Sequence, residues 1–317
     1  MFNNADTKVK KLRNEFADTM LEIGAIDKDL VVMVGDISHG ILQPFAKANE
    51  GRYFNIGICE PSMVNLACGL SKVGLTPVIH TIAPFITERS YEQIKLDFGY
   101  QDLSINIISV GGSFDYSQLG CSHHCYTDIS LFAHLSKSNI VIPGSAKELN
   151  ILFKEIYKQH KINYIRLTEN PHGIDFETSD IKLGKAIKVN DGSDITIAAL
   201  GPQLKNAILA QKKLKNEYNI SAEVIYYHTF KPFDSEIIID SVSKTKHLLT
   251  LEELSAHDGL YNQCIKSLIQ VNDVRYCQMA VKDFIRGYGS YDELCESAGL
   301  GLSSIINNSL QLINKDK

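Results

Sequence analysis

The sequence predicts an α/β protein of two domains, each a parallel or mostly parallel sheet with helices on both faces. Short apolar runs rich in valine and isoleucine alternate along the chain with segments in which apolar residues recur at helical spacing. A polar passage over residues 168–185, containing Pro171 and Gly173, separates two such blocks. We therefore expect one domain over residues 1–175 and a second over residues 186–317.

The first block contains six predicted strands separated by amphipathic segments. Their apolar residues are continuous rather than alternating, which is typical of parallel strands buried on both faces. The predicted strands are 30–36, 53–58, 76–82, 104–112, 139–144 and 162–167, and the predicted helices include 88–101, 126–135 and 146–160.

The second block begins with a turn that leads into a buried strand at 191–201. Strands and helices alternate from there to the end of the chain, which favours a second doubly wound sheet. The further strands are predicted at 222–227, 247–253 and 274–281, and the helices at 203–217, 259–270 and 300–314.

Composition limits the classes of function. Hydrophobic residues make up 44% of the chain, charged residues 22%, and the net charge of −5 gives no basic surface for nucleic acid or anionic membranes. No apolar run reaches membrane-spanning length, and the first residues lack the apolar centre of a signal peptide. The seven scattered cysteines include no C-x-x-C pair, so we expect reduced thiols in a cytoplasmic protein.

One carboxylate stands in a stretch that is otherwise built to be buried. Glu60 follows the apolar run 56–59 and precedes Pro61, after which apolar residues recur at helical spacing. Because proline is favoured in a first helical turn, we expect a helix to begin at this glutamate. Desolvating an unpaired carboxylate costs roughly 2–7 kcal/mol, so Glu60 needs either a binding partner or a role as a helix cap.

Other polar loops follow predicted strands, where ligands of open α/β sheets bind. They contain the stretches VGDISHG, TIAPFITERSYEQI and GCSHHCYTD. Two histidines beside two cysteines in the last stretch raise the alternative of a zinc site, but the spacing is too compressed for a usual structural site. Asp36 has the alternative role of bonding turn amides, and Phe85 and Tyr91 that of core residues.

The order of these motifs resembles the C-terminal half of transketolases and of 1-deoxyxylulose-5-phosphate synthases. That half contains a pyrimidine-binding domain followed by a C-terminal domain. The resemblance covers nearly the whole chain. The stretches that carry it are VGDIS, FNIGICEPSMVNLACGLSKVGLTPV, PFITERSYEQI, GCSHH, IRLTENP, GSDITIAALG, FKPFD and LLTLEELSAHDGL.

The resemblance implies a site for thiamine diphosphate. Glu60 matches the catalytic glutamate that bonds N1′ of the aminopyrimidine ring, a role that suits an acid kept out of water, able to hold a proton and share it. Phe85 is similar to the phenylalanine that stacks on this ring, and Tyr91 to a tyrosine in the same wall. Asp36 and Ile37 resemble an Asp-Leu pair at the cofactor, with the aliphatic side chain between its two rings.

The resemblance also implies substrate contacts. His123 is similar to the active-site histidine of the family's D-G-x-T-H-Q loop, which bonds substrate oxygens. Arg166 resembles an arginine that binds the substrate phosphate, and Arg13 is a candidate for a second such residue. Leu119, however, stands where the family has an aspartate that bonds a sugar hydroxyl, and Gly111 and Gly40 stand where phosphate contacts are expected. We therefore expect a deoxygenated, short or unphosphorylated substrate.

A further departure concerns the diphosphate. Enzymes of this class hold it through Mg²⁺, with a G-D-G motif that this sequence lacks. The resemblance therefore implies a split enzyme, in which a partner chain carries the metal ligands and an α₂β₂ assembly forms the site. Two alternatives remain, the beta subunit of a 2-oxo acid dehydrogenase complex and a non-catalytic scaffold subunit.

Overall fold

Two sheets form the centre of the protein, whose computed structural model describes residues 9–314. The first six strands are β1 Leu30–Val34, β2 Tyr53–Asn55, β3 Thr76–Ile82, β4 Ile105–Val110, β5 Ser138–Val141 and β6 Ile162–Leu167. The next six are β7 Ile187–Asn190, β8 Ile195–Leu200, β9 Ala222–Tyr227, β10 Thr229–Lys231, β11 His247–Ser255 and β12 Arg275–Val281.

Helices cover both sheets. In the first block they are α1 Leu12–Ile26, α2 Gln43–Ala48, α3 Glu60–Lys72, α4 Ala83–Thr87, α5 Tyr91–Gln93, α6 Asp128–Ala133 and α7 Ala146–Ile156, and a π-helical segment, Ile94–Tyr100, continues α5. In the second block they are α8 Leu204–Tyr218, α9 Ser235–Thr245, α10 Leu260–Ser267, α11 Tyr291–Ser297 and α12 Leu302–Asn314. Of the helices in this part of the chain, none has the length and apolar character needed to cross a membrane.

The sheets confirm the predicted fold class. The first has the order β10-β5-β6-β4-β3-β1-β2 and the second the order β12-β11-β8-β9-β7. All pairs are parallel except β10 with β5 and β7 with β9. Six of the twelve described strands, β1, β4, β5, β6, β8 and β9, are buried along their whole length, as continuous apolar runs predict for parallel sheets covered on both faces.

The strand β10 crosses between the two blocks. It belongs to the second block in sequence, yet it pairs with β5 at the edge of the first sheet, and the His228 carbonyl accepts the Ile142 N–H at 2.8 Å. No strand was predicted over Thr229–Lys231, so this link between the second block and the first sheet was not predicted. A three-residue strand carries too little local periodicity to reveal a pairing that forms across the fold.

Two predicted elements differ in ways that matter for the site. The strand expected over 53–58 ends at Asn55, because the chain turns at Gly57 with φ +76° before α3 begins.

The helix expected over 88–101 is interrupted. One short helix starts at Ala83, with Pro84 in its first turn, and a second begins at Tyr91 and continues as π-helix. The break falls at 88–90, and π-helical turns are frequent beside functional sites.

Candidate active site

Glu60 is the first residue of α3, as the position of Pro61 predicts. Its side chain is almost completely buried, with 1% exposed. One carboxylate oxygen lies 3.1 Å from Nη1 of Arg89, and the other accepts a long hydrogen bond of 3.4 Å from the Thr81 hydroxyl. The glutamate is therefore a buried anion whose ionic partner, among the described residues, is Arg89.

A chain of contacts links this carboxylate through Arg89 to Phe85 and His123, and we call Glu60, Phe85, Arg89 and His123 the glutamate cluster. The guanidinium carbon of Arg89 lies 4.4 Å from the centre of the Phe85 ring. The ring of His123 meets Phe85 edge-on, with 5.3 Å between centroids. The structure thus brings together three residues that were predicted for the cofactor and substrate, from α3, α4 and the loop before α6.

Arg89 was not predicted as a site residue. It follows Phe85 by four positions in the stretch PFITERSYEQI and is the basic residue of that stretch. Side chains four residues apart lie on the same side of a helical turn, so the spacing carried a usable signal. The family resemblance did not indicate this arginine, because it assigned roles in this stretch to the aromatic residues.

The loop at 35–40 passes beside the glutamate. A Cβ atom on Gly35 would lie 2.9 Å from the Thr81 hydroxyl and 3.6 Å from a Glu60 carboxylate oxygen, so glycine permits this approach. Asp36 then adopts φ +55°, and Asn55 holds it by accepting its N–H at 3.1 Å and donating to its carboxylate at 3.0 Å. Left-handed backbone at a residue other than glycine is typical of functional loops. Ile37, the next residue, is half-buried.

His80 fixes the same loop from inside the protein. Nδ1 donates to the Ile108 carbonyl at 2.8 Å, which leaves Nε2 to accept from the Ser38 hydroxyl at 2.9 Å. Burial lowers the pKa of His80 to about 4, so the ring is neutral at physiological pH. Ser38 has φ +58°, which is unfavourable for serine. The hydrogen bond to the buried, neutral ring of His80 holds it in this conformation.

Arg166 lies elsewhere, inside the protein. It is 5% exposed, and its guanidinium contacts the Asp128 carboxylate at 3.4 Å and hydrogen-bonds the Ser113 hydroxyl. Burial opposes its charge, but the Asp128 carboxylate raises the pKa of Arg166 above its ordinary value. The donors of Arg166 are thus directed at protein groups.

The remaining predicted substrate residues, Arg13 and Leu119, are both at least partly exposed. Arg13, on α1, pairs with Glu169 at 2.7 Å. Leu119 is 53% exposed, in the loop that carries His123. Gly111 has φ +76°, and the ring of Tyr116 fills the space that a side chain there would take. A Cβ on Gly40 would meet open space.

Tyr91 is half-buried, and of the two cysteines near His124, Cys125 is buried and Cys121 is exposed. Tyr91 begins α5, is half-buried against the core beside α3, and its pKa is raised by burial. His124 bonds the Tyr126 hydroxyl through Nδ1 at 3.0 Å, and Cys125 is buried beside Thr87. No three metal-ligating side chains of residues 9–314 come together, so the geometry gives no support to the zinc alternative.

The chain is a two-sheet α/β protein whose glutamate cluster is a candidate ligand site beyond the carboxyl ends of parallel strands. Residues 8–171 match the family described as "Transketolase, pyrimidine binding domain", and residues 184–305 match "Transketolase, C-terminal domain". The chain therefore belongs to the transketolase family.

Several relatives are of similar length. The chain is 29% identical to the 6-deoxy-6-sulfo-D-fructose transketolase subunit SqwH of Clostridium sp. (strain MSTE9), covering 93% of this chain and 92% of the relative. It is 30% identical to an apulose-4-phosphate transketolase subunit of Phocaeicola vulgatus, over 96% of this chain and 97% of the relative. A solved structure titled "Split gene transketolase, inactive beta4 tetramer" is similar with a TM-score of 0.86 and 27% identity, covering 96% and 99% of the two chains.

These findings confirm the resemblance on which the sequence analysis rested and the transketolase-like class of the protein. They favour it over a dehydrogenase beta subunit, because the similar relatives of matching length are named as transketolase subunits. The roles of individual site residues stay predictions.

Proposed function

We propose that this chain is one subunit of a split thiamine diphosphate-dependent transketolase-like enzyme. The enzyme transfers a two-carbon ketol or acyl unit from a ketose or 2-oxo acid to an aldehyde. The observation that carries the proposal is the buried carboxylate of Glu60 beside the ring of Phe85, with His123 edge-on to that ring. An anion buried at the start of a helix and paired with a half-exposed side chain is suited to bind a ligand.

The side chains of the cluster fit the aminopyrimidine end of the cofactor. A carboxylate offers an acceptor for a protonated ring nitrogen, and an aromatic ring offers a face for stacking. Phe85, Glu60 and the aliphatic Ile37 would hold the cofactor here, with Asp36 and Tyr91 as flanking contacts. Bound thiamine diphosphate supplies the chemistry of carbon–carbon bond cleavage and formation, and the protein contributes orientation and control of protonation.

Two residues have proposed chemical roles. Glu60 shares a proton with the ring nitrogen at its carboxylate oxygen. His123 bonds substrate oxygens, and the Ser122 hydroxyl, 3.0 Å from Nδ1, orients its ring so that Nε2 serves the substrate. Retention of both groups around Phe85 speaks against a scaffold subunit with a decayed site.

The partner chain, in this proposal, binds the diphosphate and Mg²⁺. The chain has no G-D-G sequence, and it covers nearly the full length of relatives that are named as subunits. It spans 47% of the 1-deoxy-D-xylulose-5-phosphate synthase of Heliobacterium modesticaldum, to which it is 27% identical. Such proportions are those expected of half of a divided enzyme, acting in the cytoplasm as an α₂β₂ assembly.

An exposed apolar face beside the cluster is our candidate for the subunit interface. It consists of Ile58, two residues before Glu60, Leu66 on α3, Val73 directly after that helix, and Leu96 and Tyr100 on the π-helical segment. All five side chains are exposed, and Leu66 and Val73 lie seven residues apart, which is two helical turns. The helix α3 packs against the π-helical segment, and exposed apolar patches on neighbouring elements mark sites of association.

The test is a calorimetric titration with thiamine diphosphate and Mg²⁺. The isolated chain should bind the cofactor weakly or not at all, and the chain mixed with its G-D-G partner should bind it tightly. Leu66→Glu should prevent assembly, whereas the matched control Leu209→Glu, at an exposed leucine of α8, should not. Tight, Mg²⁺-dependent binding to the isolated wild-type chain would contradict the split-subunit proposal.

A further inference from the structure

Arg89 contacts the two groups that the proposed cofactor ring needs. Its Nη1 lies 3.1 Å from a Glu60 oxygen, and its guanidinium carbon lies 4.4 Å from the centre of the Phe85 ring. Guanidinium is planar, donates N–H groups to carboxylates and stacks on aromatic faces. An aminopyrimidine protonated at N1′ has the same three properties.

The two groups cannot occupy the site together. A ring that stacks on Phe85 and donates to Glu60 has to lie over the face of Phe85 that is nearest Glu60, and Arg89 covers that face. His123 meets Phe85 at an interplanar angle of 70°, so its ring is not stacked on the Phe85 ring as a cofactor ring would be. The cofactor ring and the guanidinium therefore compete for one space.

We infer that Arg89 occupies the space that the aminopyrimidine ring takes when the cofactor binds, and that Arg89 has to leave this space for binding to occur. This inference rests on the proposed function of the glutamate cluster. It makes Arg89 a positioning residue that controls access to Glu60.

The burial of the two partners supports this direction of movement. Glu60 is 1% exposed and fixed in the first turn of α3, whereas the side chain of Arg89 is 48% exposed. Arg89 can therefore swing into solvent, but Glu60 cannot follow it. The pair also protects the free chain, since a buried carboxylate without a cation or a full set of donors is strongly unfavourable.

The exchange also changes what Glu60 bonds. Guanidinium stabilises the negative charge of a carboxylate without giving up a proton, because arginine stays protonated in proteins. A ring nitrogen can share its proton with the carboxylate, which the proposed role of Glu60 requires. Departure of Arg89 thus converts a structural ion pair into a site for proton sharing.

The inference predicts that removing the guanidinium strengthens cofactor binding. The apparent Kd of a ligand rises as the fraction of protein with an open site falls, so Arg89→Gln should bind thiamine diphosphate roughly 3–30-fold more tightly than wild type. Arg89→Lys, which keeps the charge without the planar group, should fall between them. The measurement is a calorimetric titration of each variant assembled with its partner chain in Mg²⁺.

Lys154→Gln is the matched control, since it removes an ion pair with Glu22 at 2.6 Å between α7 and α1. Its Kd should equal that of wild type. A direct readout is the ¹⁵Nε resonance of Arg89, which should move towards that of a solvent-exposed arginine when cofactor is added. An unchanged or larger Kd for Arg89→Gln in a wild-type complex that binds cofactor would overturn this inference alone. A wild-type complex that binds no thiamine diphosphate would overturn the proposed function, and this inference with it.

Discussion

Glu60 and Arg166 are both buried charged residues, and the sequence predicted that both contact a ligand. The partner of Glu60 is the half-exposed Arg89, while Asp128, the partner of Arg166, is completely buried. Arg89 can leave Glu60 for solvent. Separation of Arg166 from Asp128 would leave two charges buried and unpaired, which is far less favourable. Burial of a charge alone therefore does not indicate a ligand site, and the exposure of its partner distinguishes the two cases.

The surroundings of the two charges strengthen this contrast. Arg166 belongs to a network in which the Ser113 hydroxyl also bonds the Glu253 carbonyl, and Tyr164 donates to Asp128 at 2.6 Å. The network joins the first sheet to β11 of the second. Among residues 9–314, Glu60 has one ion pair, with Arg89, and one long hydrogen bond, from Thr81. The guanidinium of Arg166 is thus enclosed by groups of the protein, whereas the carboxylate of Glu60 can accept further hydrogen bonds from a ligand.

Replacement of Glu60 by glutamine should give the largest functional effect. The amide keeps the shape but cannot share a proton, so turnover of the assembled enzyme should fall by roughly 10²–10⁴-fold, the range of general acid–base assistance. Thermal unfolding should change little, because an unfavourable buried anion is removed along with its ion pair. Hydrogen exchange at C2 of the bound cofactor checks the expected loss of activity. Near-normal exchange would contradict the catalytic role and leave Glu60 with the role of a helix cap.

Replacement of Arg166 by methionine should give the opposite pattern. The change leaves Asp128 buried without its cation, so the free energy of unfolding should fall by about 3–5 kcal/mol. Urea denaturation of the isolated chain measures this loss. Protein that still folds should keep a normal KM for its donor substrate. Wild-type stability together with a raised KM for phosphorylated donors would instead support the predicted phosphate role of Arg166.

The closed environment of Arg166 bears on the substrate. With that guanidinium directed at protein groups, and with Leu119 and Gly111 where polar contacts are expected, we predict a deoxy or pyruvate-like donor over xylulose 5-phosphate. A hydroxyl that loses water against an aliphatic side chain is left without a bond, so preference for the deoxy donor should reach about 10–200-fold.

Leu119→Asp should shift this preference back towards hydroxylated ketoses. The measurement is kcat/KM for paired donors with the assembled complex, and Leu209→Asp on α8 serves as the control for an added surface charge. A strong preference of the wild-type enzyme for xylulose 5-phosphate would count against this interpretation of the pocket.

Local sequence signals predicted much of this structure. Continuous apolar runs located most of the strands, and Pro61 located the start of α3, because both effects act between neighbouring residues. The pairing of β10 with β5 was beyond local signals, since it joins segments from different blocks. For Arg166, the partners Asp128 and Ser113 lie 38 and 53 residues away in sequence. A family resemblance assigns a role to a residue, but it does not show which groups of the protein that residue contacts.

The smallest expected effect concerns His80, which supports the loop beside Glu60. Its folded pKa of about 4 lies below the ordinary value of 6.5, so between these values the unfolded chain binds a proton that the folded chain does not. Stability should therefore fall as the pH decreases from 6.5 towards 4, by about 1 kcal/mol per pH unit from this residue.

Urea midpoints of wild type and His80→Gln at about pH 7.5 and pH 5.5 measure this dependence of stability on pH. The variant should be less stable at the higher pH because Ser38 and the Ile108 carbonyl lose their partner, yet its stability should depend less on pH. His124 and His228, whose pKa values burial also lowers, contribute equally to both proteins, so the difference between the two slopes isolates His80. Equal slopes would mean that the pKa of His80 is the same in the folded and unfolded chains, and that burial does not keep its ring neutral.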